Sequence, residues 1–471
     1  MPKSIIGSLL AASLLAGCSL APHYERPSAP VAAAFPVSDV SKNGIPAPDL
    51  AWERFFGDAR LQQLIKLTLA NNRDLRMAAL NVERVRALYN IQRTALIPSL
   101  NATGTATRQR TPKDLSRTGE PVTSNVFQIG VEIPSYEVDF FGRVASLRDQ
   151  VLAEYLATEE ARRSAQISLI STVARQYLTL LATEEQLNLS RQTLEAAERS
   201  YDLNKQSFDA GVTSELDLRT SEAQRDTYRA TVAALQQQHA QSENALVLLV
   251  GSPLPGNLPP AGSLATQNLI ENLPAGLPSD LLTRRPDIRE AEYSLKAANA
   301  NIGIARAAFF PSVKLTAFGG TASSELSGLF EKGSGAWSFA PSITLPIFAA
   351  GRNKANLEVA WIEKRIEIAN YEKAIQSAFR EVSDALAVRA TIDIQIEAEQ
   401  GRVTAARRRY ELSNQRFEKG VDSFLAVLLA QQELFAAEQS LIDARLARLS
   451  NLVSLYAALG GGWQEDRPSQ S

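Results

Sequence analysis

One cysteine and two histidines are all the soft-ligand chemistry available: Cys18, His23 and His239 in 471 residues. A structural zinc site needs about four such ligands, so a His/Cys metal centre is excluded. A lone thiol makes no internal disulfide. Asp, Glu and Ser are plentiful, but they are spread along segments rich in Ala, Leu, Gln and Arg. A solvated helix face explains them better than a catalytic pocket. No glycine-rich phosphate loop with its lysine occurs, so ATP hydrolysis is not expected. The net charge of −2 excludes a strongly basic nucleic-acid binder. With 45% hydrophobic and 21% charged residues the chain is folded. No cofactor is expected, and the one group with distinctive chemistry is Cys18.

Its setting is informative. Lys3 precedes an apolar run, Ile5 to Ala16, that ends in Leu15-Ala16-Gly17-Cys18. The run is too short to span a bilayer as a helix and reads as a secretion signal. Small residues just before a cysteine resemble the lipobox of bacterial lipoproteins. There the thiol takes a diacylglycerol, cleavage precedes it, and the new amine is acylated. The alternative is an ordinary signal followed by a chance cysteine, and the position of the single Cys argues against it. Ser19, not Asp, follows, which by resemblance to bacterial sorting rules favours the outer membrane. Acyl chains contribute roughly 0.8 kcal/mol per buried CH₂, so several anchor firmly.

The elements around this anchor come in duplicate. Arg199, Tyr201, Leu203, Gln206, Phe208, Gly211, Val212 and Ser214 recur as Arg408, Tyr410, Leu412, Gln415, Phe417, Gly420, Val421 and Ser423, at a constant offset of 209. Gly142-Arg143 recurs as Gly351-Arg352 at the same offset, and Pro98-Ser99 as Pro311-Ser312 at nearly the same one. Gap-free agreement over this length marks an internal repeat. The expected layout is a signal peptide (1–17), a lipidated irregular segment (18–57), a first repeat (58–250), a Pro-rich connector (251–278), a second repeat (279–462) and a tail (463–471).

Each repeat contains a very long helix. Arg143 to Ala210 has neither Gly nor Pro, and Arg352 to Lys419 has only Gly401; each run is 68 residues. Both are rich in helix formers. At 1.5 Å per residue each would reach about 100 Å, far beyond an ordinary globular helix. Leu187, Leu194, Tyr201 and Phe208 lie seven apart, as do Ile396, Val403, Tyr410 and Phe417, and also Leu428, Phe435, Ile442, Leu449 and Tyr456. A seven-residue repeat makes left-handed coiled-coil packing. The helices reverse at Gly211-Val212-Thr213-Ser214 and Gly420-Val421-Asp422-Ser423, where Gly takes the left-handed position and Thr, Ser or Asp caps the next helix. The Gly- and Pro-free stretches Asp58 to Ile97 and Val212 to Val250 supply further helices.

Four segments instead have a period of two. Leu100, Ala102 and Ala106 alternate with Asn101, Thr103, Thr105 and Thr107; Phe127, Ile129, Val131 and Ile133 with Gln128, Gly130 and Glu132; Val313, Leu315 and Ala317 with Lys314 and Thr316; Trp337, Phe339, Ile343, Leu345 and Ile347 with Ser338, Ala340, Ser342 and Thr344. The strand pairs fall at about 98–141 and 311–349, with surface tips at 108–125 and 321–336. A half-buried soluble sheet has the same pattern; the lipoprotein signal favours a membrane barrel. Four strands cannot close such a barrel, whose smallest form needs about eight, and open edges in lipid leave backbone groups unpaired. Chains must therefore share one: two give about eight strands and three about twelve, and only the larger encloses water.

The runs Leu273-Pro274-Ala275-Gly276-Leu277-Pro278-Ser279-Asp280-Leu281-Leu282, Arg285-Pro286-Asp287-Ile288, Ala305-Arg306-Ala307-Ala308-Phe309-Phe310-Pro311 and Leu459-Gly460-Gly461-Gly462-Trp463 resemble the outer-membrane factors, the TolC/OprM family of bacterial efflux channels. The likeness covers nearly the whole mature chain and is strongest to the lipoprotein branch serving resistance-nodulation-division pumps. It implies an α plus membrane-β fold. Three copies would share a twelve-stranded transmembrane barrel, and a helical coiled-coil tunnel would cross the periplasm. It also implies partners: a periplasmic adaptor at the tips (Gly211, Val212, Thr213, Ser214, Gly420, Val421, Asp422, Ser423) and an inner-membrane pump. Many relatives carry an acidic residue and an Arg in a Leu-Asp-Ala-Gln-Arg run near the tip; here the run reads Leu428-Leu429-Ala430-Gln431-Gln432. Leu429 either forms an apolar constriction that excludes water or packs within the coiled coil. Asp217, a candidate gate residue with Leu429, and Asp422 are polar contacts near the tips, or else helix caps or solvated surface. The expected function is a passive exit duct for drugs and other toxic compounds. The rivals are an enzyme, a duct for metal ions, and a coiled-coil lipoprotein scaffold, which leaves the four matched strands unexplained.

Overall fold

The computed structural model describes residues 19–36 and 44–464. Cys18, the signal segment and most of the 463–471 tail lie outside them. The described elements run α1 (Trp52–Phe55), α2 (Ala59–Asn71), α3 (Arg73–Thr94), β1 (Asn101–Thr111), β2 (Val122–Val138), α4 (Arg143–Asp209), α5 (Glu215–Val250), α6 (Pro278–Arg284), α7 (Pro286–Ala307), β3 (Ser312–Ser323), β4 (Gly335–Thr344), α8 (Arg352–Glu418) and α9 (Phe424–Ala458). The second repeat thus restates the first: two helices, a hairpin, a long helix of 67 residues and a return helix of 36 or 35. Among the described residues no helix is long and apolar enough to cross a membrane.

Two compact units cut across the repeats. One comprises Met1–Ser28, Asn81–Glu159 and Glu290–Tyr371; the other Ala29–Leu80, Glu160–Arg289 and Glu372–Ser471.

The first unit holds a four-stranded antiparallel sheet in the order β1-β2-β3-β4. Its register aligns the two periodicities. Ala102, Gly104 and Ala106 stand opposite Val131, Ile129 and Phe127; Ile133 opposite Ala317; Ala317 and Gly319 opposite Phe339 and Trp337; Val313 opposite Ile343. One face is therefore apolar across all four strands, since side chains paired across a ladder share a face. Trp337, on it, is 82% exposed. The strands are longer than the sequence pattern suggests. The ladder carries Arg108 to Thr111 and Val122 to Asn125, which were expected in the tip, while β4 stops at Thr344 and leaves Leu345 and Ile347 beyond it. Polar residues extend β1 because backbone pairing, not hydrophobicity, holds a hairpin end. Pro134, which has no N–H to give, sits at the register shift between Ile133 and Tyr136. Gly130 faces Gly320 where the β2 and β3 backbones approach too closely for any side chain.

The N-terminal strap belongs to this unit. The Arg306 guanidinium donates to Leu20 O (3.0 Å) and the Asn299 amide to Pro22 O (2.8 Å). Arg26 donates to the Glu292 carboxylate through Nε at 3.1 Å and through Nη2 at 3.0 and 2.9 Å, and the Tyr24 hydroxyl donates once at 3.2 Å. The strap thus runs antiparallel to α7 and brings Ser19 within 3.4 Å of Ser146 on the first turn of α4. Burial works against the charge of Glu292, but Lys296 and Arg26 outweigh it and hold the carboxyl below its usual range.

In the second unit, Phe55 stacks on Tyr456 at 4.0 Å, and the Tyr456 hydroxyl donates to Leu50 O. The Gly461 backbone lies on the Tyr456 ring, where a side chain has no room. That contact accounts for Gly461, while Gly460 and Gly462 on either side take the left-handed φ of +87° and +108°. The stretch Asp58 to Ile97 is not one helix. It breaks at Asn72, whose extended backbone ends α2 and whose carboxamide oxygen accepts from the Leu75 N–H that opens α3 (2.9 Å). Gly401, by contrast, does not interrupt α8.

Candidate functional site

The candidate site is the pair of helical reversals. At the first, Gly211 adopts φ +76°, its N–H donates to Phe208 O (2.8 Å), and the Val212 N–H donates to Ser207 O (2.8 Å). At the second, Gly420 adopts φ +70°, its N–H donates to Phe417 O (2.8 Å), and the Val421 N–H donates to Arg416 O (2.9 Å). Both are helix ends closed by a left-handed glycine. Val212 and Val421 project into solvent, as do Leu216 and Leu425 one turn on.

The capping differs between the two. Ser214 accepts the Asp217 N–H at 3.2 Å while its hydroxyl donates to the Asp217 carboxylate at 2.7 Å. Thr213 donates to Asn204 O at 3.4 Å. Asp217 is thus tied into the cap. Ser423 occupies the matching position and makes no side-chain cap bond, contrary to the expectation that the hydroxyl caps α9. Asp422 is instead gripped by Arg416, whose Nε and Nη2 donate at 2.6 and 2.9 Å. That hydrogen-bonded pairing holds the Asp422 carboxyl below its ordinary range. The sequence reading missed this ion pair, although Arg416 stands six residues before Asp422, a separation the tight turn folds back.

Leu428, Ala430 and Gln431 are buried, whereas Leu429 is 48% exposed on the opposite side of α9. Gln432 donates to Gln224 on α5 at 2.7 Å. The helices above the tips pack through rings: Arg225 lies over Tyr201 at 4.2 Å, and Tyr228 meets Phe435 edge-on at 5.2 Å. Among the described residues no cluster of His, Cys, Asp or Glu is arranged to hold a metal ion.

The fold now has its counterparts. A family model described as outer membrane efflux protein matches residues 64–252 and 277–461. The chain belongs to the outer membrane efflux protein family. The probable efflux pump outer membrane protein TtgC of Pseudomonas putida is 46% identical over 99% of this chain and 97% of its own. Outer membrane protein OprJ of Pseudomonas aeruginosa is 43% identical over 99% and 97%. Among solved structures, the open state of the MtrE outer membrane channel of Neisseria gonorrhoeae superposes with a TM-score of 0.87 at 42% identity, covering 95% of this chain and 99% of that one. This outer membrane efflux protein has the TolC-like channel fold, mostly helical with one four-stranded sheet per chain, and is the outer-membrane channel component of a tripartite efflux pump. The family is one of ducts.

Proposed function

We propose that three copies of this chain close one twelve-stranded barrel in the outer membrane and continue it as a helical tunnel into the periplasm. The observation that carries this reading is the sheet: one face bears an apolar band, from Val138 to Phe127 on β2, and β1 and β4 are each paired on one side only. In lipid those edges must find partners, and β4 of one copy meets β1 of the next. Acyl chains on Cys18 anchor the chain in the outer membrane, and the strap that follows holds Ser19 beside the start of α4. The exposed Val212, Leu216, Val421 and Leu425 at the tips dock a periplasmic adaptor, through which an inner-membrane pump of the resistance-nodulation-division type delivers cargo. Leu429, turned away from its own chain's core, forms an apolar constriction that opens by wetting. Asp217 serves as part of the cap at the first tip.

The cargo is toxic organic compounds. Relatives are named for antibiotic and toluene efflux, and the duct itself runs no reaction. The test is accumulation of a fluorescent pump substrate in cells with and without the gene. Deletion should raise accumulation, the intact gene should restore export, and a tip-deleted gene should not. Unchanged accumulation across several dyes and solvents would overturn the reading.

A further inference from the structure

The extension of β1 beyond its apolar stretch places two arginines where a duct wall has no use for them. The β1–β2 ladder runs without a register shift from Asn101 opposite Glu132 to Thr111 opposite Val122. Face assignment therefore carries through unbroken. Arg108 and Arg110 lie on the same face as Ala102, Gly104 and Ala106, that is, on the apolar outward face. Asn125 and Thr123 stand directly opposite them.

The height of the apolar band fixes where they emerge. On β2 the outward residues run from Val138 to Phe127. At about 3.4 Å per residue and a tilt of about 45°, that length rises about 26 Å, matching the ~25 Å apolar band of outer-membrane barrels. The Arg108–Asn125 row is the next one, on the side away from the helices. Both arginines are exposed, and neither has an ion-pair partner among the described residues. The corresponding positions of the second repeat, Thr321 and Ser323, are uncharged. The charge is thus a property of one hairpin, not of barrel ends in general.

We propose that Arg108 and Arg110, with Asn125 and Thr123, form a lateral binding site for the phosphorylated headgroups of outer-leaflet glycolipids. A guanidinium presents two parallel N–H donors to a phosphate, and a cation just outside the hydrocarbon is where such a headgroup lies. In the proposed trimer the site repeats three times around the barrel. The inference rests on the membrane-barrel reading above, and its test separates the two.

The full-length protein in detergent is titrated with diphosphorylated lipid A and with the same lipid stripped of phosphate, and bound lipid is counted by native mass spectrometry. The wild type should prefer the phosphorylated form by at least about tenfold. Salt should erode that preference, and the double variant Arg108→Gln/Arg110→Gln should lose it. Equal binding of both lipids by the wild type, or a preference that survives in the double variant, overturns the headgroup site. In parallel, Trp337 fluorescence is measured in vesicles with brominated acyl chains, with Trp337→Phe as the blank. Quenching in wild type and double variant alike shows that both are folded with this face in lipid. Its absence in the wild type overturns the barrel reading and the site together.

Discussion

The two repeats solve one joint in two ways. Where α2 meets α3, Asn72 breaks the helix and its amide donates to Leu249 O at the end of α5 (2.9 Å). Where α6 meets α7, Pro286 makes the break, and Arg285, at the place of Asn72, donates to Ala458 O at the end of α9 (2.7 Å). Leu249 and Ala458 are themselves repeat partners, as are Gly251 and Gly460, which end those helices in left-handed conformation at φ +75° and +87°. The geometry was kept while the chemistry diverged. Asn72 answers one carbonyl and one N–H. Arg285, only 7% exposed, also binds Asp287 (2.5 Å) and Glu381 (2.9 Å), linking α7 to α8. One repeat uses a neutral amide both to cap α3 and to reach the end of α5; the other builds a charged cross-link.

That contrast can be broken experimentally. Arg285→Ala should have the largest effect, about 3 kcal/mol, because it orphans a buried carbonyl and removes the cation between two carboxylates. Denaturation of the detergent-solubilised protein measures it, and a loss no greater than at Asn72 would show that the ion pairs contribute nothing. Asn72→Ala should cost about 1–2 kcal/mol, one cap and one carbonyl bond. The tips offer a finer comparison. A Cβ at Gly211 or Gly420 meets no atom within 4 Å, so the main cost of Gly→Val is the left-handed backbone, about 1 kcal/mol. Its main readout is weakened docking of the adaptor, followed by co-purification, and unchanged export in both variants would sink the docking role. The smallest effect is at Asp422. Its carboxyl is depressed by Arg416, so the link is fully present above the ordinary carboxylate pKa of about 4 and is lost as pH falls through the depressed value. Hydrogen exchange at the second tip should rise at that low pH and not in Asp422→Asn, which starts loosened; the first tip should not respond in the same way.

Much of this was legible in the residues. The 209-residue offset exposed the duplication, the absence of Gly and Pro set the long helices to within a residue at each end, and Gly211 and Gly420 marked both reversals. These are local signals: a left-handed turn or a helix interior depends on the residues within a few positions. Period-two alternation likewise placed four strands, since a strand with one buried face repeats every second residue.

The sequence alone determined the duplicated helix–hairpin–helix plan, the turn glycines and the apolar strand faces, because each is written in neighbouring residues. Only the tertiary structure decided the break at Asn72, the grip of Arg416 on Asp422, the strap of Arg26 on Glu292 and the extension of β1 through Arg108 and Arg110. In each, a partner is set by how the backbone folds back, whether six residues away at the second tip or across the fold at Leu249 and Glu292. A residue's type shows that it needs a hydrogen bond or a counter-charge, but not which distant carbonyl or carboxylate will answer it.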